Sequence, residues 1–522
     1  MTRLYQCRSS PSKLLRNGRK TSSRICPRRL GRSTGSLELR RNHISHRSQN
    51  ETLALTESGR GIGPRKKGRV ALGLFCTLSC SQCCVWNTWG PIAGFALRAF
   101  PNWNESLVAL LSDWGCISYL TCCIPCCWLL YKKGLTMSLR MAAILSTLAT
   151  FVRCVSSREN VFTIMVHTAA ILNGLSGVIL GPATALVSAV WFPPGKRTTA
   201  TGISSACNQL GMAISYLIGP AVVGNTVARN ITPLTSNTNF NGTVAFDKMY
   251  SVVLRAQITS LMRIEFVGQF LILIGVLCFL PGEPYQCVDL PEISERLGLA
   301  ESILRLLKNK NMWCLCLAAA LSQGVTGPWL AMMTMTFGTS ITQEEADKLA
   351  FWTIIVSGTL SLIASRLADA FQGRLKITLH ILLTISSAMF LWILLLDDRI
   401  LVFHRGELYA AVILGISASW STPALFLELA SEIAFPVSEA IVGGYMIFLS
   451  NLVGALFYFS YFLPWMNKHS STYLTFANIS MATILIIYVK EDYNRTKMNS
   501  ISRASWKEIK DCKRFRRKKI RR

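Results

Sequence analysis

The chain has 522 residues, 51% of them apolar and only 16% charged, and its mean hydropathy is positive. That balance excludes a water-soluble globular protein for most of the length. The net charge of +28 invites a nucleic-acid reading, but most of the excess lies in two tails, residues 1–69 and 490–522, with no aromatic-interleaved fold beside it. No nucleic-acid partner is expected.

The first tail carries Arg28-Arg29, Arg40-Arg41 and Arg65-Lys66-Lys67, and the last ends in Arg514-Phe515-Arg516-Arg517-Lys518-Lys519-Ile520-Arg521-Arg522. Basic flanks stay in the cytosol and are drawn to anionic headgroups, so both tails are expected inside, with membrane lipids as neighbours. The Arg- and Ser-rich, acid-poor start also has the composition of a transit peptide.

Between the tails, stretches of roughly 20 mostly apolar residues, the length that spans a bilayer as a helix, recur twelve times. They are 70–97, 105–130, 136–155, 161–190, 198–223, 260–281, 312–336, 347–369, 375–396, 408–431, 440–463 and 472–488. This predicts an all-α membrane protein of twelve transmembrane helices, and the even count puts both termini on one side. The domains read as a tail 1–69, a six-helix bundle 70–281, a cytosolic linker 282–311, a second bundle 312–488 and a tail 489–522.

A repeat supports the two bundles. Gly181-Pro182, Phe192-Pro193 and Asn208-Gln209-Leu210-Gly211 recur in order, about 240 residues later, as Pro423, Phe435-Pro436 and Ser450-Asn451-Leu452. Two such copies in apolar sequence are the plan of a secondary transporter.

In the first segment Trp89-Gly90-Pro91 should break the helix, and Gly327-Pro328-Trp329 should break its counterpart. Such breaks face protein or water, and a matched pair points to a midplane site. Their bland reading is a kink for packing. Trp86, Trp89 and Trp329 would offer aromatic faces to an organic cation or flat heterocycle, or else belong to an interfacial belt. Gln209 and Asn451 hold equivalent places in the repeat and should face one cavity. With the tryptophans they form the candidate substrate site.

Asp113 lies inside the second segment, where an ionised carboxylate costs on the order of 3 kcal/mol or more near the centre. It must be paired, hydrated or protonated, and with His167 it is a candidate for proton coupling; the alternative for His167 is an interfacial or satisfied residue. Glu265 beside Arg263 is a further ionisable group at depth. Glu428 and Glu432 share a face near a cytosolic helix end and should pair with basic groups.

Eighteen cysteines crowd mainly into the first two segments, where thiols behave as small apolar residues. Cys122/Cys126 and Cys123/Cys127 have i, i+4 spacing without a neighbouring His or carboxylate, so packing, acylation at Cys126 and Cys127, and metal handling stand in that order. No metal site and no cofactor are expected. No nucleophile–base set suggests an enzyme. Glycosylation signals at Asn104, Asn230 and Asn241 fall in non-cytosolic connections, whereas those at Asn50, Asn478 and Asn494 should stay bare.

Four motifs in register then carry a family resemblance: VWNTWGPI at 85–92, AVWFPPGKRTTATG at 189–202, NQLG at 208–211 with IGPAVV at 218–223, and LFLELASEIAFPVSEA at 425–440. Over residues 69–495 the chain resembles the major facilitator superfamily, specifically solute carrier family 49. It looks nearer the disrupted in renal carcinoma branch than the feline leukaemia virus subgroup C receptor branch. The resemblance implies two six-helix bundles, alternating access, and a small organic substrate with proton coupling. One branch is associated with lysosomal membranes and pyridoxine, the other with choline and ethanolamine. It also implies substrate contacts at Trp86 and Gln209 and gating at Asp369 and Arg374. The first copy of the superfamily's loop signature survives only as Leu130-Tyr131-Lys132-Lys133-Gly134, without its acidic residue, and Gly219-Pro220 matches the antiporter motif in part. The expected protein is a monomeric transporter of the lysosomal or plasma membrane. The alternatives are a non-transporting receptor or scaffold on that fold and a haem-related exporter.

Overall fold

The structure, a computed structural model, describes residues 64–235, 243–282, 298–331, 333, 341–371, 373–402, 404–460 and 468–497. In the first half the helices are α1 (Pro64–Trp86), α2 (Ala93–Ala99), α3 (Glu105–Val152), α4 (Glu159–Trp191), α5 (Arg197–Thr235) and α6 (Thr243–Phe279). A short α7 (Leu299–Lys308) precedes α8 (Lys310–Ala331), α9 (Gln343–Ala370), α10 (Leu375–Asp397), α11 (Arg405–Trp420), α12 (Pro423–Ala434), α13 (Glu439–Ser460) and α14 (Lys468–Tyr488).

Ten of these stretches are long and apolar enough to cross a membrane. One of them, Ser106–Val152, has 47 residues, roughly 70 Å of helix and about twice a bilayer core. It turns at Gly134, whose φ of 77° only glycine adopts without strain, so the predicted second and third segments are its two parts. Counting those parts separately and adding Lys310–Ala331 reaches the predicted twelve; length and composition alone reach ten.

Helix ends follow the local chemistry. Asn104 caps α3 by accepting a hydrogen bond from the Leu107 N–H at 2.8 Å, and Thr342 and Glu345 form a reciprocal capping box on α9. α4 stops at Trp191 because Phe192, held extended, precedes Pro193. The first predicted break occurs: α1 ends at Trp86, and the chain turns through Gly90-Pro91 before α2. The second differs. Pro328 lies inside α8, helical on both sides of it, since a proline removes one N–H and a membrane helix tolerates this where neighbours satisfy the freed carbonyl. The tenth predicted segment, by contrast, is split into α11 and α12, with Pro423 in the first turn of α12.

Each half keeps its own core, around Phe75, Leu78 and Ile179 in the first and Leu383, Phe426 and Leu429 in the second. Large apolar side chains such as Ile124, Leu271 and Phe279 stay exposed on outer faces, as expected where the solvent is lipid. Between the halves α5 packs along α9, and α13 crosses α3 and α4.

Close helix contacts rest on glycine. A Cβ added at Gly211 of α5 would lie 1.9 Å from the Cys80 carbonyl oxygen of α1, and one at Gly324 of α8 would lie 2.6 Å from the Ser450 carbonyl of α13. Gly211→Ala must therefore push α1 and α5 apart, at a cost of about 1–3 kcal/mol, read as a lowered melting temperature in detergent. Gly73→Ala, where a Cβ meets nothing within 4 Å, should leave it unchanged.

Asn104 is exposed, whereas the Asn230 side chain and all of Asn241 fall outside the described residues. Asn104→Asp keeps the oxygen that caps α3 and removes the nitrogen a glycan needs. A gain in gel mobility at unchanged melting temperature is the expected outcome, and it would place this end of α3 on the non-cytosolic side.

Candidate functional site

A cavity of about 540 Å³ lies between the halves, lined by α1, α3, α4 and α5 on one side and by α8, α9, α11, α12 and α13 on the other. Trp86 enters it at the end of α1. Its indole N–H donates to the Ser112 carbonyl at 3.0 Å, and the ring lies against Gly115, where a Cβ would come within 1.9 Å of it. Glycine at 115 is what admits the indole.

The amides that line the cavity are mostly committed to protein. Asn87 donates to Ser215 Oγ at 2.8 Å, and Asn208 donates to Ser79 Oγ at 3.0 Å. Gln82 and Asn173 each donate to the other's backbone carbonyl at 3.2 Å. Gln209 reaches across the seam: its Nε2 donates to the Trp420 carbonyl and its Oε1 accepts from Ser357 Oγ, both at 3.0 Å. Asn451 donates to the Ile447 carbonyl one turn earlier on α13, at 2.9 Å.

Three other lining groups lack such partners among the described residues. Asp113 makes no hydrogen bond or ion pair with any described residue, and Tyr119 Oη and Gln323 Nε2 are buried without a hydrogen-bond partner. Asp347 of α9 supplies a second carboxylate, and Tyr216, Trp420 and Tyr458 add aromatic surface. Among the described residues no Lys, Arg or His lines the cavity.

Among the residues singled out from sequence, Trp86, Asp113, Gln209 and Asn451 line this space. Trp89 and Trp329 do not. Trp89 is 3% exposed in an aromatic cluster, 5.3 Å edge-on from Trp103, and Trp329 is 0% exposed, edge-on to Phe390 at 5.1 Å. Both sit next to lining residues in sequence but face their own bundle's core. His167 lies away from the cavity too, accepting at Nδ1 from the Trp114 indole at 2.8 Å. Sequence reading missed Tyr119, Gln323 and Asp347. One signal was present for Gln323, which precedes Gly327-Pro328 by the same four residues that separate Trp86 from Gly90-Pro91.

At the far end of the seam Asp369, ending α9, accepts from the Thr199 N–H of α5 at 2.7 Å and from its hydroxyl. Arg374 is exposed at the start of α10 and takes no part in that contact. Cys123 and Cys127, with sulfurs 3.9 Å apart, pack against α13, where Cys127 donates to the Ala440 carbonyl. Glu428 and Glu432 are paired with Arg495. In the first half Glu265 is 3.1 Å from Arg153 rather than paired with neighbouring Arg263, and it accepts from Thr88 Oγ1 at 2.6 Å.

Two helical bundles around one seam cavity define a multi-pass membrane transporter of the major facilitator type. No protein-family model matches the chain. It is 30% identical over 465 residues to the solute carrier family 49 member 4 homolog of Xenopus tropicalis, covering 86% of this chain and 97% of that one. It is 24% identical to the mouse choline/ethanolamine transporter FLVCR1, over 65% of this chain and 60% of that protein. The crystal structure of FucP, a major facilitator superfamily transporter in the outward conformation, matches with a TM-score of 0.61 at 13% identity, over 81% of this chain and 99% of that one. The chain belongs to solute carrier family 49. Its relatives are transporters, not enzymes.

Gln209 thus ties the two halves together through α9 and α11. Gln209→Ala removes both contacts, worth about 1 kcal/mol each, and should shift the balance between closed and open seams by roughly thirtyfold. A broadened distance distribution between spin labels at exposed Lys196 and Arg374 is the expected result.

Proposed function

We propose that this transporter moves a small organic cation, choline-like or a protonated pyridoxine-like amine, by alternating access with proton coupling at Asp113. The observation that carries this is the lining itself: two carboxylates, Asp113 and Asp347, one from each half, with Trp86, Tyr119, Tyr216, Trp420 and Tyr458 and, among the described residues, no basic side chain. A carboxylate and aromatic faces both favour positive charge, most strongly where water is scarce. The same two carboxylates weigh against haem, whose propionates they would repel. A cavity of about 540 Å³ is also more than a scaffold requires.

Asp113 suits proton coupling because no described protein group balances its charge. A proton or a cationic substrate would do so. An acidic lysosomal lumen would supply the gradient, which favours that membrane over the plasma membrane. The tyrosine hydroxyl of Tyr119 and the amide of Gln323 are the polar groups left to meet the substrate, with Trp86 as its aromatic wall and Asn451 opposite.

Purified protein in liposomes, given radiolabelled choline or pyridoxine at two pH values, tests the reading. Asp113→Asn should flatten the pH dependence of uptake with little change in affinity. Asp347→Asn should weaken affinity roughly tenfold or more, the usual worth of a hydrogen-bonded charge. Absence of flux for both compounds, or cation uptake indifferent to both substitutions, would overturn it.

A further inference from the structure

Residues 489–497, beyond the last membrane helix, stay packed against the fold. Lys490 N–H donates to Asn311 Oδ1 at 2.8 Å, and Asn311 Nδ2 returns a bond to the Lys490 carbonyl at 2.9 Å. The Lys376 N–H at the start of α10 donates to Glu491 at 2.7 Å, and the Leu375 N–H donates to Tyr493 Oη at 3.3 Å. These bonds lead Arg495 beneath the second half, where it is only 2% exposed.

There its guanidinium meets three carboxylates on two helices. It pairs with Glu428 and, at 3.2 Å, with Glu432 of α12, and lies 3.7 Å from Glu439, the first residue of α13. Thr496 adds its N–H and hydroxyl to Glu432 at 3.0 and 2.8 Å. Burial works against the charge on Arg495, but the carboxylates outweigh it and hold the guanidinium above its ordinary value.

The cluster adjoins the seam on both flanks. Glu428 lies in the field of Arg197, which opens α5, and of Asp369, which caps that helix from α9. On the other flank, the residue after Glu439 is Ala440, whose carbonyl accepts from Cys127 Sγ at 3.8 Å; one turn on, the Gly444 carbonyl accepts from Cys123 Sγ at 3.5 Å. A Cβ at Gly444 would lie 2.2 Å from the Cys127 sulfur, so α13 approaches α3 here as closely as only glycine allows.

We propose that Arg495 is a positioning residue of the transport cycle, a latch that clamps α12 to α13 and thereby keeps this end of the seam shut against α3 and α5. Removing the guanidinium from among three buried carboxylates leaves charge that it had paired uncompensated. Losing Arg495 drives Glu439 from Glu428 and Glu432, tilts the start of α13 and uncovers Cys123 and Cys127. The inference rests on the halves moving against each other, but not on what they carry.

Labelling of the full-length protein with a membrane-permeant maleimide, read cysteine by cysteine by peptide mass spectrometry, tests the latch without any substrate. Arg495→Ala should raise the labelling rate of Cys123 and Cys127 at least about fivefold. Cys316, 0% exposed in the core of the second half, should remain unlabelled, which separates an opened seam from an unfolded protein. Arg495→Lys keeps the charge and should stay within about twofold of the unaltered protein. Unchanged labelling of Cys123 and Cys127 in the alanine variant, a parallel rise at Cys316, or a lysine variant as reactive as the alanine one would each overturn the latch. Substrate uptake could fail while this labelling pattern holds, so the two readings fall separately.

Discussion

A polar group inside a membrane protein must find a partner, because hydrocarbon offers none, and that constraint orders the whole structure. Within the spans serine and threonine hydroxyls mostly return to carbonyls one turn back, as in Thr147 to Ala143 and Thr353 to Leu349. Asn173 is satisfied on both sides, by Gln82 and by Ser146. The rule lapses at a minority of buried groups, Ser361, Ser365 and Tyr445 among them, and some of these groups lie on the cavity wall. Asp113, Tyr119 and Gln323 face a space lined by both halves without a partner among the described residues.

The same rule explains why the seam holds. Where the bundles touch, apolar packing such as that of Ile447 and Phe448 on Tyr119 and Val178 is joined by hydrogen bonds and glycine-sized approaches: Gln209 to Trp420 and Ser357, Asp369 to the start of α5, and the Cys127 thiol over Gly444. Such contacts are individually weak, so a few kcal/mol of differential binding suffices to exchange one arrangement for another. Asp369 at the start of α5 also draws on the partial positive charge of that terminus, which strengthens its contact with Thr199. The first copy of the loop signature has no acidic residue, and Arg495 with its three glutamates supplies a charged cluster of another design at the same end.

The cavity's chemistry follows from which helices meet there. α1 stops at Trp86 because the chain must turn at Gly90-Pro91, and that leaves the indole projecting at the end of a helix. α8 carries the equivalent Gly-Pro without stopping, so its contribution is the unpartnered amide of Gln323 one turn before the proline. One repeat unit has thereby produced an aromatic wall on one side and a polar wall on the other.

Length and hydropathy determined the membrane-spanning helices, the two bundles and the basic ends, because the bilayer demands about 20 apolar residues whatever the fold around them. Gly90-Pro91 announced a break and Glu428 with Glu432 announced an ion pair, since backbone geometry and buried charge act locally. Orientation around the helix axis was not legible. Trp86 and Trp89 stand three residues apart in one motif, yet Trp86 meets the cavity while Trp89 packs on Trp103; Pro328 lines the cavity while Trp329 beside it is sealed against Phe390. In a helix buried on most sides, apolar periodicity no longer marks an inner face. Which side is core and which is cavity was decided by the helices that pack against it, and only tertiary structure brought Asp347 opposite Asp113 and carried Arg495 back beneath Glu428, Glu432 and Glu439.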